Sequence, residues 1–271
     1  MADLTALGAA LGSRFDTGMR RAERMHGGDL SEVLSVELED GRRLVAKAGP
    51  LVSREAAMLT AIAAAGAPAP AVLGVADDFL FLEYLEETHG SEAGWRALGS
   101  ALRGLHEQRG ETYGWPDDYA FGTVAIANAT AVSWPDFWAE RRLLPFLRHL
   151  PADLADRVET LCDRLNDILP AAPPPALLHG DLWTGNVLFG PGGRAWLIDP
   201  ACYFGDAEVD LAMLTLFGQP GRSFWESYGP LSPGSGPRRA AYQLWPALVH
   251  LRLFGEGYRS LVSSRLDALG V

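Results

Sequence analysis

The sequence predicts an α+β fold with two lobes: a small antiparallel-sheet lobe with one main helix, then a larger and mostly helical lobe. Residues 1–84 are dominated by strand-like segments, with one Ala-rich helical segment among them. Helical patterns dominate residues 85–271. A chain of 271 residues can form two lobes that share a cleft, which is a usual place for a ligand.

The elements of the first lobe follow from alternation of apolar and polar residues and from the turn residues between runs. A short helix is predicted over residues 3–11. The main helix is predicted over residues 53–65, with Ser53 as a candidate cap and Glu55 in its first turn, and Gly and Pro residues at 66–70 end it. The predicted strands are residues 33–38, 43–48, 71–75 and 79–84.

The second lobe is predicted to contain long helices and one hairpin. The helical segments are residues 94–109, 134–150 and 153–169. The hairpin pairs residues 187–189 with 195–198 around a Gly-Pro-Gly-Gly turn. Several side chains of this lobe are expected in its core, namely Trp134, Phe137, Trp138, His106 and His250.

Composition excludes several classes of partner. The formal net charge of −11 argues against nucleic acid and anionic membranes, because both select basic surfaces.

The two cysteines, Cys162 and Cys202, form no C-x-x-C pair, which favours a reducing compartment. The chain shows no signal-peptide pattern at residues 1–4 and no apolar run long enough to span a bilayer. We therefore expect a cytoplasmic protein, and although no pattern specifies the oligomeric state, a monomer is favoured.

The basic residues of the chain are almost all arginine. Of 23 basic residues, 22 are Arg and one is Lys, at position 47 on the strand predicted at residues 43–48. A compact ammonium and a planar guanidinium are not interchangeable at a tight site. Retention of lysine at one place is consistent either with a site that needs an ammonium or with chance in an Arg-rich chain.

Five residues have the order and spacing that phosphoryl transfer needs. Asp181 and Asn186 match the spacing of the protein-kinase catalytic loop, where the Asp accepts the substrate proton and the Asn binds magnesium. Asp199, after a predicted strand, corresponds to a second magnesium ligand. Lys47 followed by Glu55 on the next helix matches the pair that steadies ATP phosphates. Each element alone is weak, but the ordered set predicts an ATP-dependent kinase and a protein-kinase-like fold.

The motif around Asp181 narrows the resemblance. Residues 179–186 read His-Gly-Asp-Leu-Trp-Thr-Gly-Asn, and with the strings at 199–201, 205–213 and 216–218 the chain resembles the fructosamine/ketosamine kinase family within the aminoglycoside phosphotransferase-like superfamily. The tail at 242–244, 250–251 and 254–255 is similar as well. The resemblance implies ATP and Mg²⁺ as cofactors and a sugar hydroxyl of a ketosamine as the acceptor.

The resemblance also implies a role for each matching residue. Asp181 would be the catalytic base, Asn186 and Asp199 would bind magnesium, and Lys47, oriented by Glu55, would hold phosphates. The turn at Gly27 and Gly28 would approach the phosphates, and backbone groups of Glu83 and Leu85 would meet adenine. Trp183 would contact the sugar or its amine, or pack in the ordinary way. His179, Asp206 and Asp210 are expected to support the catalytic loop.

Departures from the family pattern leave the acceptor open. Residues 125–128 read Ala-Ile-Ala-Asn and lack the Gln of the family's Pro-Gln-x-Asn string, which puts substrate scope in doubt. The sugar, the amine and a repair or catabolic role are not readable. Two other functions therefore remain alternatives: a kinase for an aminoglycoside, choline or another sugar, and a non-catalytic nucleotide-binding module.

Overall fold

The amino-terminal part of the fold is an antiparallel sheet. The structure, a computed structural model, describes residues 3–25 and 32–271. Within these residues the sheet has five strands in the spatial order β1-β2-β3-β5-β4. The strands are β1 (Met19–Arg24), β2 (Glu32–Leu38), β3 (Arg43–Ala48), β4 (Val72–Ala76) and β5 (Phe79–Glu83).

Helices cover both faces of this sheet. Helix α1 (Leu4–Phe15) packs on the face formed by alternate apolar residues such as Leu44 and Phe81, and the Asp3 carboxylate caps it by accepting from the Thr5 amide at 2.8 Å. Helix α2 (Val52–Ala64) packs on the opposite face. Because successive side chains alternate across a strand, Lys47 projects from the α2 face.

The main helix begins differently from the prediction. Residue Leu51 occupies the cap position of α2 and makes no side-chain cap hydrogen bond, so the expected Ser53 cap is wrong and Ser53 lies within the helix. Helix α1 also runs longer than predicted, to Phe15.

A shared hydrophobic cluster joins the two lobes. Met58 and Ile62 of α2 are fully buried with Leu98 and Leu182 of the second lobe. The Cys202 amide donates to Met58 Sδ at 3.3 Å. The helix that carries Glu55 is therefore fixed against the second lobe as well as against the sheet, and the boundary after residue 84 stays a prediction.

The second lobe is mostly helical, as predicted. Trp134, Phe137 and Trp138 are completely buried in its core, which confirms that prediction. The helices of this lobe are α3 (Glu92–Glu107), α4 (Trp134–Trp138), α5 (Ala152–Asp163), α6 (Leu165–Ile168), α7 (Glu208–Leu214), α8 (Arg222–Tyr228), α9 (Ser235–Phe254) and α10 (Arg259–Ala268).

The stretch predicted to be helical over residues 134–150 is helical as far as His149, but only its start is α-helix. After α4 the backbone widens into a π-turn at Ala139–Leu143 and then tightens into a 3₁₀ segment at Leu144–His149. Pro145 lies at the start of that segment and has no amide hydrogen, so it cannot donate an α-helical hydrogen bond at this point.

Short pairs of antiparallel strands complete the lobe and carry loops of the cleft. The predicted hairpin is confirmed as β9 (Val187–Gly190) paired with β10 (Arg194–Leu197). Two further pairs were not predicted, β6 (Tyr119–Phe121) with β7 (Val124–Ile126) and β8 (Ala176–Leu178) with β11 (Tyr203–Gly205). Both cysteines are free thiols. No helix in the described ranges has the length and apolar character needed to cross a membrane.

Candidate active site

A cleft of about 780 Å³ brings the predicted catalytic residues together. Its walls come from β3 and α2, from the β6–β7 turn, from the loops after β8 and β10, and from the carboxyl-terminal end of α9. The predicted residues among its lining are Lys47, Glu55, Asp181, Trp183, Asn186 and Asp199.

Lys47 lies between two carboxylates. Its ammonium donates to Glu55 Oε1 and, at 2.8 Å, to Asp199 Oδ1, and the lysine is only 4% exposed. Burial disfavours the charge, but Asp199 and Glu55 outweigh burial and raise the pKa of Lys47. A charged ammonium is therefore held where β3, α2 and the loop after β10 meet.

The backbone at Asp199 is in an unusual conformation that its neighbours hold. Its φ is +55°, which is uncommon for a residue other than glycine. The Ile198 amide donates to Asn186 O at 3.1 Å, and the Ala201 amide donates to His179 O at 2.9 Å. Strained backbone of this kind concentrates at functional sites.

Asp181 and Asn186 are joined by direct hydrogen bonds. Asn186 Nδ2 donates to the Asp181 carbonyl at 2.8 Å and to Asp181 Oδ2 at 2.9 Å. Burial raises the pKa of Asp181 to about 7; the hydrogen bond from Asn186 opposes this shift, and the charges of Asp199 and Asp210 add to it. The carboxyl group therefore titrates close to neutral pH.

The loop that carries Asp181 is supported by Asp210, as predicted. The completely buried Asp210 carboxylate accepts from the amides of His179 at 2.7 Å and Gly180 at 2.9 Å, and it contacts His106 Nε2 at 3.1 Å. Gly180 has a φ of +81°, and a Cβ there would collide with the Ala201 carbonyl. Only glycine fits at this turn.

His179 also supports the loop, as predicted. Its Nε2 donates to the Ile198 carbonyl at 2.9 Å, and its Nδ1 accepts from the Asp181 amide at 3.3 Å. These bonds link the segment of the predicted base to the segment of Asp199.

The expected role of Asp206 is wrong. Its carboxylate accepts from the Tyr242 hydroxyl at 2.7 Å and from the Glu208 amide at 3.0 Å. Asp206 therefore ties the start of α7 to α9, whereas Asp210, one helical turn later, reaches the catalytic loop.

Trp183 lines the cleft and is not a core residue. It remains 39% exposed, and its indole lies over Gly185, where any Cβ would enter the ring. The position is compatible with contact to an acceptor, and that role stays a prediction.

The residues predicted to contact the nucleotide from the turn and the connector are not among the described lining residues of the cleft. Gly27 and Gly28 lie outside the described residues. Glu83 is exposed, its amide donates to Ala71 O at 2.9 Å, and neither Glu83 nor Leu85 is among the described residues that line the cleft. The adenine contacts of these residues remain predictions.

The side chains available as metal ligands suit Mg²⁺ better than a metal ion that is coordinated by protein side chains alone. Asn186 and Asp199 offer amide and carboxylate oxygens, the hard ligands that Mg²⁺ prefers. Across residues 3–25 and 32–271 no cluster of three or more His, Cys, Asp or Glu residues could hold a metal. A Mg²⁺ ion commonly takes its other ligands from substrate phosphates and water.

Sequence reasoning missed the aromatic half of the cleft. His250 was expected to be a core residue, but it is half-buried and lines the cleft. A signal was present in the strings at 216–218, 250–251 and 254–255, which the resemblance included without a role. The aromatic lining residues that were missed are Tyr119, Phe121, Phe217, Trp245, Phe254 and Tyr258.

The missing family Gln affects the core and not the cleft surface. Ile126 stands at that position in β7 and is 2% exposed within the core of the second lobe. Asn128 is completely buried and accepts from Arg142 Nη2 at 2.8 Å. This segment therefore acts through packing and hydrogen bonding inside the second lobe.

Comparison with known proteins gives consistent matches along the whole chain. The family model for fructosamine kinase matches residues 5–269. A "Probable ketoamine kinase" of Thermus thermophilus is 39% identical over 244 residues, which cover 86% of this chain and 88% of that protein. A solved structure from Thermobifida fusca, described as a "putative fructosamine-3-kinase", has a TM-score of 0.90 at 32% identity and covers 98% of this chain and 99% of that one.

A more distant solved structure confirms the fold alone. A choline/ethanolamine kinase family protein from Mesorhizobium loti has a TM-score of 0.65 at 19% identity and covers 98% of this chain and 93% of that one. The predicted α+β, kinase-like fold is therefore confirmed.

Proposed function

The chain belongs to the fructosamine kinase family, and from this premise we propose that its cleft transfers the γ-phosphoryl group of ATP to a sugar hydroxyl of a ketosamine. The observation that carries the proposal is the convergence of Lys47, Asp181, Asn186 and Asp199 on one cleft. Phosphoryl transfer depends mainly on positioning and charge, and these residues supply both.

Asp181 is the proposed base. It takes the proton of the attacking hydroxyl, whose oxygen forms a bond to the γ-phosphorus while the bond between that phosphorus and the bridging oxygen of ADP breaks. A pKa raised to about 7 suits this task, because a general base is most effective when its pKa is near the working pH. Asn186 orients the carboxylate through its 2.9 Å hydrogen bond.

Lys47 is the proposed phosphate ligand. An ammonium has three donors. Glu55 and Asp199 each accept one of them, so a further donor can reach a phosphate oxygen. Glu55 thereby orients Lys47 without itself contacting the nucleotide.

Asn186 and Asp199 are the proposed magnesium ligands. With Nδ2 of Asn186 turned to Asp181, its Oδ1 is the atom left for the ion. When bound between these two residues, the ion would offset the negative charge of the phosphates. The fixed backbone at Asp199 keeps its carboxylate beside Lys47.

The adenine site is proposed on the Lys47 face of the sheet. Val33 pairs with Lys47 in the sheet register, and Val45 lies two residues before Lys47 on the same face; both are half-buried. They give this face apolar side chains, and Val45 pairs in the sheet register with Leu82, the residue before Glu83. Gly27 and Gly28, which precede β2 in the sequence, are the proposed cover of the phosphates.

A panel of acceptors in a coupled ADP-release assay tests the proposal. The panel contains fructose- and ribulose-derived ketosamines, an aminoglycoside, choline and the free sugars, and NMR locates the phosphate on any product. We expect ADP release with ketosamines and phosphate on a sugar carbon. ADP release with an aminoglycoside or choline, but not with any ketosamine, would favour the alternative kinases. Binding of Mg-ATP with no acceptor-dependent release would favour a non-catalytic module.

The setting of the enzyme is also a proposal. The free thiols of Cys162 and Cys202 support a reducing compartment and hence the cytoplasm. A monomer remains the favoured state.

A further inference from the structure

Exposed aromatic surface is concentrated in the cleft. Among the described residues, the large aromatic side chains that remain most exposed are Trp183, Phe217 and Phe254, with 39%, 42% and 47% of their surface in contact with water. All three line the cleft that holds Asp181. Apolar surface left in water inside a concave site indicates a ligand that covers it.

Four side chains form what we call the aromatic wall: Phe217, His250, Phe254 and Tyr258. The His250 ring centroid lies 4.8 Å from that of Phe217, 5.0 Å from Tyr258 and 5.4 Å from Phe254. Gly255 ends α9 with a φ of +84°, and the chain turns there so that Tyr258 returns to His250. The four side chains of the wall therefore support one another through direct ring contacts.

His250 gives the aromatic wall a hydrogen-bond acceptor. Its Nδ1 donates to the Pro246 carbonyl at 2.8 Å, since a carbonyl can only accept. Burial lowers the pKa of His250, so the ring is neutral at physiological pH. In that tautomer Nε2 carries a lone pair, and it has no hydrogen bond from the described part of the chain.

Away from Lys47, the described lining of the cleft has no charged basic side chain that could pair with an anion. The described lining residues include the carboxyl groups of Glu32, Glu55, Asp181 and Asp199. Lys47 is the sole basic residue among them apart from the neutral His250, and it is engaged by two of those carboxylates. A carboxylate on the acceptor would therefore find no basic partner in the described lining. A protonated amine at the aromatic wall would meet aromatic faces, which attract cations, and no charged basic side chain of the described lining would repel it.

We propose that the aromatic wall binds the substituent carried by the ketosamine's amine, and that preferred acceptors bear an uncharged aromatic substituent beside a protonated secondary amine. The ring of the substituent packs on Phe217 and Phe254, and an N–H of the amine donates to His250 Nε2. This substrate class rests on the proposed function, because the phosphorylated sugar must occupy the adjoining space beside Asp181.

Three ketosamines that share one sugar isolate the contribution of the substituent. They are the unsubstituted 1-amino-1-deoxy sugar, its N-benzyl derivative and its N-carboxymethyl derivative, each prepared from fructose and from ribulose. We expect kcat/KM for the benzyl acceptor to exceed that for the unsubstituted one by about ten-fold or more, from burial of one aromatic ring. The carboxymethyl acceptor should be poorer than the unsubstituted one.

Substitution of the wall should remove the preference. Phe217→Ala and Phe254→Ala change side chains that are already about half exposed, so both variants should fold. We expect each to reduce the benzyl-to-unsubstituted ratio of kcat/KM several-fold, and the double variant to bring the ratio close to one. Val132→Ala is the matched control, because Val132 is 86% exposed and lies outside the cleft lining. Its ratio should equal that of the wild type.

The possible results separate the two proposals. Equal kcat/KM for the benzyl and unsubstituted acceptors, or a preference for the carboxymethyl acceptor, would overturn the substrate class and leave the kinase function standing. A benzyl preference that persists in the double variant would show that the wall is not its source. Absence of ADP release with every ketosamine would overturn the proposed function, and the substrate class with it.

Discussion

Lys47 and Asp199 form a 2.8 Å ion pair across the cleft, although 152 residues separate them in the chain. Lys47 belongs to the sheet, and Asp199 follows a hairpin of the helical lobe. Glu55 contacts the same ammonium from α2, so three separate elements meet at one buried charge. The phosphate-binding half and the metal-binding half of the proposed site are thus joined by a direct ion pair.

Replacement of Lys47 by Arg should fail despite the retained charge. A planar guanidinium cannot fill the space of one ammonium between Glu55 and Asp199, so the nucleotide phosphates would be misplaced. We expect kcat/KM for ATP to fall by about 10²-fold in Lys47→Arg and at least as much in Lys47→Ala, measured by ADP release against ATP concentration. The control is Arg20→Lys, because Arg20 is exposed and forms an ion pair with Glu37. This variant should behave as the wild type. Normal kinetics in Lys47→Arg would remove the explanation for the sole lysine.

Loss of the proposed base should affect turnover and not nucleotide binding. Asp181→Asn keeps the size of the side chain and an oxygen that can accept from Asn186. We expect kcat to fall by about 10²–10⁴-fold, the range for loss of a general base, while the dissociation constant of ATP changes little. Asp163→Asn, at the exposed end of α5, is the control. Near-normal turnover in Asp181→Asn would contradict the assignment.

The activity should depend on pH through Asp181. Its pKa is raised to about 7, and only the ionised carboxylate can take a proton. Below that pH, kcat/KM should fall about ten-fold per unit, and above it the value should level off. A profile from pH 5 to 9 measures this, and the residual activity of Asp181→Asn should lack the acid limb. A wild-type profile that is flat down to pH 5 would exclude Asp181 as the titrating base.

The raised pKa of Asp181 should lower the stability of the folded protein at high pH. Its folded pKa of about 7 exceeds the ordinary value of 3.8, so between these values the folded state binds more protons than the unfolded state. Stability is therefore lost as the pH rises through about 7. The melting temperature of Asp181→Asn without ligand should exceed that of the wild type at pH 8, and the difference should shrink toward pH 4. A difference that does not vary with pH would contradict the raised pKa.

The extent to which the sequence predicted the site depends on how local each signal is. The pairs Lys47–Glu55 and Asp181–Asn186 lie eight and five residues apart, so their spacing on one hairpin–helix unit or one loop was readable. The order of strands and helices was likewise carried by local periodicity. The β6–β7 and β8–β11 pairs were missed because strands of three residues have too little alternation to recognise.

The aromatic wall could not be predicted, because distant segments supply it. Phe217 follows α7, whereas His250 and Tyr258 flank the end of α9. A helical apolar context around His250 predicted burial in the core. The cleft opens at the last turn of that helix, and only the packing of α9 against α7 determines which side chains face it.

The position of Trp183 over Gly185 leads to a test of acceptor binding. In Gly185→Ala the new Cβ would lie within the indole, so Trp183 must move. We expect the KM for the ketosamine to rise about 2- to 10-fold, the value of one aromatic contact, with a smaller change in the KM for ATP. Trp183→Ala should have a similar effect, and the double variant should be no worse than either one, because both remove the same contact. Gly104→Ala is the control, since a Cβ there meets no atom within 4 Å. Additive losses in the double variant, or an equal rise in the KM for ATP, would mean that Gly185 acts on the loop of Asn186 and not through Trp183.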